Sequence, residues 1–307
     1  MSRFQQPSAC IAKRPDFPDH ELLTFRNGKK LRGALGWCLD THGNEASPML
    51  QFDERTTKLL EEAYLGADFS RRRRASFDAL NPSPGDVIAD IGCGNGLLTL
   101  ELSRTLGGHG KVVGIDLSED MRGAAVRRCT DCPNVEIRTG TVTDLPLETA
   151  SADKAVSLQV FEYLDDLPSA VTEIKRVLKP GGKLVVGDMH WDTITWFSDN
   201  PDRMKAMLET WDGHLVERCI PAILPPILRE AGYRVESVTA VPFTSTHLHP
   251  DGLANMMIHL MKPYVVRKGP FSRDDADAWA EEQVQLAESG RFFFSITHFV
   301  ITATLPG

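Results

Sequence analysis

The run Asp90-Ile91-Gly92-Cys93-Gly94-Asn95-Gly96 decides how the rest of the chain is read. It closes Val87 to Ile91, an apolar stretch of strand length, and precedes Leu98, Leu102 and Leu106, which fall on one face of a helix. Glycines at a strand-to-helix turn let a ligand approach bare backbone N–H groups at a helix N-terminus. The same glycines serve tight turns that bind nothing, so the loop alone specifies no ligand. Asp116 adds a second feature. It ends the next strand, roughly 20 residues downstream, where a carboxylate accepts hydrogen bonds from both ribose hydroxyls of a nucleoside.

Outward from this unit, short apolar strands alternate with amphipathic helices from Asn81 onward, the pattern of a parallel α/β sheet. Strands are expected at Val87 to Ile91, Val112 to Ile115, around Val135 and Ile137, Lys154 to Leu158, Lys183 to Gly187, Tyr233 to Val241 and Arg291 to Thr304. Helices are expected over Glu119 to about Arg128, from near Pro168 to Leu178 with Lys179-Pro180-Gly181-Gly182 as its stop, and over Pro225 to Ala231. Residues 243–290 are too long for a hairpin and hold two helix candidates, as a substrate cap would; the second starts at a capping box, Ser272 to Asp275. Residues 1–80 are rich in Pro and Gly, with helical patterns only at Glu54 to Tyr64 and Arg71 to Leu80, and read as an attached segment.

Composition narrows the partners. In 307 residues, 34 Lys+Arg against 42 Asp+Glu leave a net charge of −8, which disfavours a phosphate-binding surface, so no nucleic acid is expected. Hydrophobic residues make up 42%, enough for a full globular core. No apolar run approaches the roughly 18–20 residues of a membrane span, and Met1 to Asp19 lacks the apolar stretch of a signal peptide. A cytoplasmic protein with a small-molecule substrate and no membrane association is the expectation; whether it forms a homodimer is left open. The cysteines form no disulfide framework, and the Cys129/Cys132 pair lacks the partners of a zinc finger, so no metal is expected.

The dinucleotide pattern G-x-G-x-x-G fails at Leu97, where a third glycine is required. Pyrophosphate is also anionic, whereas Asp90 offers its charge to a cation, directly or through water, such as the amino end of S-adenosylmethionine (SAM). Four stretches then resemble the class I SAM-dependent methyltransferases, particularly the ubiquinone/menaquinone-biosynthesis-like group that includes many small-molecule enzymes. They are VIADIGCGNG at Val87 to Gly96, VVGIDLSEDM at Val112 to Met121, NVEIRTGTVTDLP at Asn134 to Pro146, and SLQVFEYLDDLPSAVTEIKRVLKPGGKLVV at Ser157 to Val186. The resemblance is specific over Asn81 to Asp188 and loose elsewhere. It implies an α/β Rossmann-like seven-stranded sheet with the last strand antiparallel, residues 1–80 as an N-terminal lid and residues 81–307 as the methyltransferase domain with its C-terminal helical cap. It further implies that Gly92, Cys93 and Gly94 contact the amino-acid end of SAM, that Asp116 binds ribose and that Leu117 and Met121 flank adenine. Thr141, with Val142 beside it, stands where many relatives carry an acidic residue for the adenine amino group. Gln159 and Val160 would face the reactive centre; Gln159 as a simple cap of the following turn is an equal alternative.

The activity so implied is transfer of a methyl group from SAM to an O or N nucleophile of a small molecule, leaving S-adenosylhomocysteine. A SAM-binding regulatory protein without turnover, or a protein methyltransferase, is the alternative. An in-line displacement needs alignment more than a particular catalytic side chain. An oxygen nucleophile would gain from a base, and His190 and Asp192, just past the fifth strand, are the candidates. Tyr64, Tyr163, Trp191 and Trp196, with Phe161, are candidate aromatics for substrate or sulfonium. Of Arg71-Arg72-Arg73-Arg74, one or two at most can point inward from a helix, and a solvated face is the first expectation. The histidines and methionines of the cap, His247, His249, His259, Met256, Met257 and Met261, are expected to pack it or line a pocket.

Overall fold

A computed structural model describes residues 63–307. The alternation of apolar runs and helices yields five parallel strands, β1 (Val87–Ile91), β2 (Lys111–Asp116), β3 (Val135–Thr139), β4 (Ala152–Leu158) and β5 (Leu178–Trp196). With β6 (Arg234–Ser245) and β7 (Phe294–Thr304) they form one sheet of order β3-β2-β1-β4-β5-β7-β6, in which β7 runs antiparallel to both its neighbours. The helices are α1 (Ala67–Leu80), α2 (Leu97–Leu106), α3 (Glu119–Arg128), α4 (Leu167–Val177), α5 (Pro201–Trp211), α6 (Ile220–Glu230), α7 (Leu253–Lys268) and α8 (Arg273–Glu288). No described helix is long and apolar enough to cross a membrane.

Both faces of the central strands are covered, which is why they read as unbroken apolar runs. Ile88, Val112, Val156, Val185 and Val300 pack with Leu80 of α1 and with Leu98, Leu102 and Leu106 of α2. On the opposite face Ala89, Val113, Ala155, Val186 and Ile301 lie with Ile174 of α4 and Leu224 of α6. Each fully buried Val, Leu or Ile stabilises the fold by about 1.5–3 kcal/mol. A third core joins the ends of β5 and β7 to α5, α7 and α8. There Met256, Met257 and Met261 are buried while His247, His249 and His259 are exposed, so the methionines pack the cap and those histidines do not.

Helix starts follow local chemistry. Ser118 accepts the Met121 N–H at 3.3 Å to open α3, Asp166 accepts the Ser169 N–H at 2.9 Å to open α4, and the capping box of Ser272 and Asp275 opens α8.

Strand β6 runs four residues past its expected end at Val241, β7 starts three residues after its expected start at Arg291, and three further elements differ more from the sequence expectation. The fifth strand, expected at Lys183 to Gly187, extends over Leu178–Trp196, because β4 pairs with it from Leu178 and β7 pairs with it as far as Trp196. The helix expected to begin at Pro225 begins at Ile220 and holds Pro225 and Pro226 inside it; the buried faces of Ile220, Leu224 and Leu228 outweigh the lost N–H donors. Helix α5 was not anticipated, although Asn200 caps the Arg203 N–H at 3.0 Å and Pro201 takes the first turn. In the segment before the sheet, Glu54 to Glu62 lie outside the described residues, whereas the Arg71 to Leu80 pattern is part of α1.

Candidate cofactor and substrate site

The N–H groups of Gly92 and Cys93 both reach the Ile115 carbonyl, at 2.7 and 3.0 Å, which ties the glycine loop to the end of β2. Gly92 has φ +72°, and a Cβ there would meet Val160 Cγ2 at 2.3 Å. Packing therefore requires glycine. Among the described residues, nothing lies within 4 Å of the place a Cβ on Gly94, at φ +54°, would take, so the loop presents bare backbone there. Asp116 borders that space. Its Oδ2 accepts the Gly94 N–H at 2.9 Å and its Oδ1 the Ser118 N–H at 2.8 Å, leaving a lone pair on each oxygen for a ribose hydroxyl. Burial raises its pKa, and these bonds oppose the rise.

Asp90 lies buried at the end of β1, accepting the Thr99 hydroxyl at 2.6 Å, and burial pushes its pKa up to about 7. A carboxylate in that state gains from a neighbouring cation. The Cys93 thiol is also buried, and burial pushes its pKa upward. On the adenine side, Leu117 is 38% exposed, an uncovered apolar side chain beside Asp116, and Met121 is half-buried one helical turn on. Thr141 is half-buried with its hydroxyl 3.2 Å from that of Thr143, and Val142 is buried beside it. These residues rim the same edge as the loop, at the carboxyl ends of β1, β2 and β3.

Beyond β4 the chain turns through Gln159, whose φ of +59° is rare for a residue with a side chain. Its N–H donates to the Gly187 carbonyl at 2.7 Å, and its Oε1 accepts the Arg72 guanidinium. Arg72 is buried, over the Phe69 ring at 4.6 Å, so the arginine run is not uniformly solvated: α1 packs its Arg72 face onto the sheet. Arg73 pairs with Glu101 at 2.9 Å, Arg71 donates to the Pro242 carbonyl at 3.0 Å, and Arg74 stays exposed with Asp78. Ser76, Glu162, Asp188 and His298, all buried, surround this guanidinium end of the sheet. Burial raises the Glu162 and Asp188 pKa values and lowers that of His298, with Arg72 lowering all three. A Cβ on Gly187 would meet His298 Nε2 and Ser76 Oγ, each at 2.8 Å. Neither nitrogen of His298, nor Ser76 Oγ, nor Arg72 Nε has a hydrogen-bond partner among the described residues.

This buried polar group was missed in the sequence. Only the helical spacing of Arg72 and Ser76, four residues apart on α1, carried a trace of it.

The aromatic candidates divide. Trp191 Nε1 donates to Glu162 Oε2 at 2.8 Å, which fixes that ring between β5 and the turn after β4. Tyr163 is buried beside His214, with ring centroids 6.2 Å apart, and Tyr64 is half-buried against Phe69 at 5.2 Å. Trp196 is held edge-on by Trp279 and Phe294, at 5.6 and 4.8 Å. Trp191 and Trp196 also line a cavity of about 390 Å³, together with Asp192, Met204, Leu208 and Arg218. His190 is half-buried on β5, and its Nδ1 makes no hydrogen bond among the described residues. Asp192 is bound to Arg218 at 2.8 Å and accepts the Cys219 thiol at 2.9 Å; that thiol bond, then Arg218, holds its pKa below the usual carboxylate range.

Residues 89–186 match the methyltransferase domain family. An uncharacterized 37.1 kDa protein in transposon TN4556 of Streptomyces fradiae is 31% identical over 233 residues, 74% of this chain and 64% of that protein. A demethylmenaquinone methyltransferase of Desulfitobacterium hafniense is 35% identical over 128 residues, 41% of this chain and 51% of the enzyme. The chain thus spans less than two thirds of either relative. The crystal structure of the YcgJ protein from Bacillus subtilis superposes with a TM-score of 0.53 at 16% identity, over 78% of this chain and 99% of that one, and shares the fold. The family match runs from within β1 to the middle of β5 and contains the glycine loop, Asp116 and Gln159, so this stretch of the chain is similar to the methyltransferase domain.

Proposed function

We propose that the protein transfers a methyl group from SAM to an O or N nucleophile of a small molecule. The observation that carries this reading is the open, side-chain-free face of Gly94 beside a carboxylate that already orders the loop, a cradle shaped for a nucleoside with a cationic tail. The demethylmenaquinone methyltransferase among the relatives supports a small-molecule substrate, and so does the acidic balance of the chain.

In this reading Gly92, Cys93 and Gly94 hold the amino-acid end of SAM, with Asp90 beneath as the counter-charge. Asp116 takes the ribose hydroxyls. Leu117, Met121, Thr141 and Val142 enclose adenine, the Thr141 hydroxyl and nearby backbone doing what an acidic side chain does elsewhere. SAM supplies an electrophilic methyl whose bond to sulfur breaks as the bond to the nucleophile forms. Gln159, held by Arg72 in a conformation its backbone would not choose alone, shapes the floor where that exchange occurs. Tyr64, on the segment before α1, and Tyr163 wall the site against water, and Trp191 and Trp196 line the adjoining substrate cavity. Asp192 is committed to Arg218 and Cys219, so the reaction is assigned chiefly to alignment, with the proton of the nucleophile passing to His190 or to solvent.

Calorimetric titration with S-adenosylhomocysteine, with NAD as control, tests the cofactor. Saturable binding of the first alone is expected; binding of NAD, or of neither, overturns the reading. Release of S-adenosylhomocysteine from SAM with a panel of phenols, amines and quinols then separates an enzyme from a regulatory binder, which would show no turnover.

A further inference from the structure

We propose that His190, Asp192 and Cys219 form a binding site for one divalent transition-metal ion of the zinc class. A ring nitrogen of His190, a carboxylate oxygen of Asp192 and Sγ of Cys219 all lie within 4.8 Å of one another. Imidazole, carboxylate and thiolate are the three ligand types zinc takes, at bond lengths of about 2.0–2.3 Å, so a shift of roughly 1 Å in the side chains closes the shell. Three protein ligands leave the fourth tetrahedral position open.

The fold assembles the trio deliberately. His190 and Asp192 are two apart on β5 and share a face of the strand. The register between β5 and β7 breaks between His190 and Thr195, which frees this stretch from regular pairing. The Trp191 N–H donates to the Arg218 carbonyl at 3.0 Å and so clamps the residue before Cys219 onto the strand between the other two ligands. Nothing in this arrangement uses His190 Nδ1, which is buried and makes no hydrogen bond among the described residues.

Charge points the same way. Asp192 and Asp212 both pair with Arg218, so two carboxylates share one guanidinium and the cluster carries an excess negative charge. A divalent ion that displaces the Cys219 proton brings it to neutrality. The sulfur–metal bond forms as the S–H bond breaks, the proton passes to the buffer, and no electrons are transferred. Asp192 and Arg218 line the cavity of about 390 Å³, so the ion would stand at its wall. The site is independent of whether SAM occupies the glycine loop.

The test uses the full chain, stripped with chelator and titrated anaerobically with cobalt(II) alone, then with zinc(II) alone. One equivalent is expected to bind, with a near-ultraviolet thiolate-to-cobalt band, and X-ray absorption of the zinc form should show one sulfur at about 2.3 Å. Cys219→Ser and His190→Ala should each weaken zinc binding at least about tenfold, and Cys219→Ser should abolish the band, whereas Cys132→Ser should leave both unchanged. Absence of binding at micromolar metal, a zinc shell without sulfur, or a band that survives Cys219→Ser while failing in Cys132→Ser overturns the proposal.

Discussion

Around β1 and β2, the polar groups that face the glycine loop find their partners close by: Asp90 takes the Thr99 hydroxyl, and Asp116 takes the N–H groups of Gly94 and Ser118. Beyond β4 the situation reverses. His298, His190 Nδ1, both polar atoms of the Gln283 side chain and the indole N–H groups of Trp196, Trp211 and Trp279 are buried without hydrogen-bond partners among the described residues. A buried polar group left unpaired costs about 1–3 kcal/mol, so the part beyond β4 carries more such cost than the surroundings of the glycine loop.

The largest expected effect lies in the preorganised half. Asp116→Ala removes two charge-assisted hydrogen bonds to the proposed ribose, each worth about 1.5–3 kcal/mol, and should weaken S-adenosylhomocysteine binding more than about a hundredfold by calorimetry. An affinity within threefold of wild type would detach Asp116 from the cofactor and dissolve the contrast between the halves.

Arg72→Met probes the other half. It removes the cation that faces Glu162 and Asp188, and breaking a buried pairing of this kind costs about 3–5 kcal/mol in chemical denaturation. Both carboxyls already have raised pKa values in the fold, and loss of Arg72 raises them further. Groups raised in this way destabilise the fold as pH rises above their unfolded values, so the deficit of the variant should shrink in acid and grow toward alkaline pH. A deficit independent of pH would mean that Arg72 acts by packing alone.

The two glycines of the loop separate packing from binding. Gly92→Ala drives a methyl group into Val160 and should lower stability by about 1–3 kcal/mol beyond the strain of its positive φ. Gly94→Ala pays only the conformational strain, yet should reduce S-adenosylhomocysteine affinity, because its methyl group enters the open cradle. Equal melting temperatures for the two variants would contradict the geometry.

The smallest effect is a pH dependence. With its pKa raised to about 7, Asp90 is protonated in mild acid and ionised above neutrality. Affinity for the cationic end of the ligand should therefore increase about tenfold between pH 6 and 8 and stay flat in Asp90→Asn. In the ligand-free protein the sign is opposite: the contribution of Asp90 to stability is present below its unfolded pKa and is lost as pH rises through about 7. Parallel slopes for wild type and Asp90→Asn would show that another group governs both.

Much of the first half was legible in the sequence. Helix α3 runs over Glu119–Arg128 as its cap, acidic first turn and basic last turn imply. The capping box of α8 formed as read, and the C-x-x-C of Cys129 and Cys132 proved to be the turn closing α3, with the Cys132 N–H on the Cys129 carbonyl at 2.9 Å. The extent of β5, the prolines within α6 and the inward turn of Arg72 were not legible, since each is decided by what packs against it rather than by its own neighbours in the chain.

By itself the sequence determined the β1-loop-α2-β2 unit and the layered α/β architecture, because turn chemistry and hydrophobic period act over a few residues and need no distant partner. Tertiary structure alone decided that Arg72 reaches Gln159, that Ser76 and His298 meet over Gly187, and that Cys219 comes to Asp192. Those groups are joined across as many as 222 positions of chain, from Ser76 to His298, by strand pairing and helix docking, and no local signal encodes which side chains such long-range closure will bring face to face.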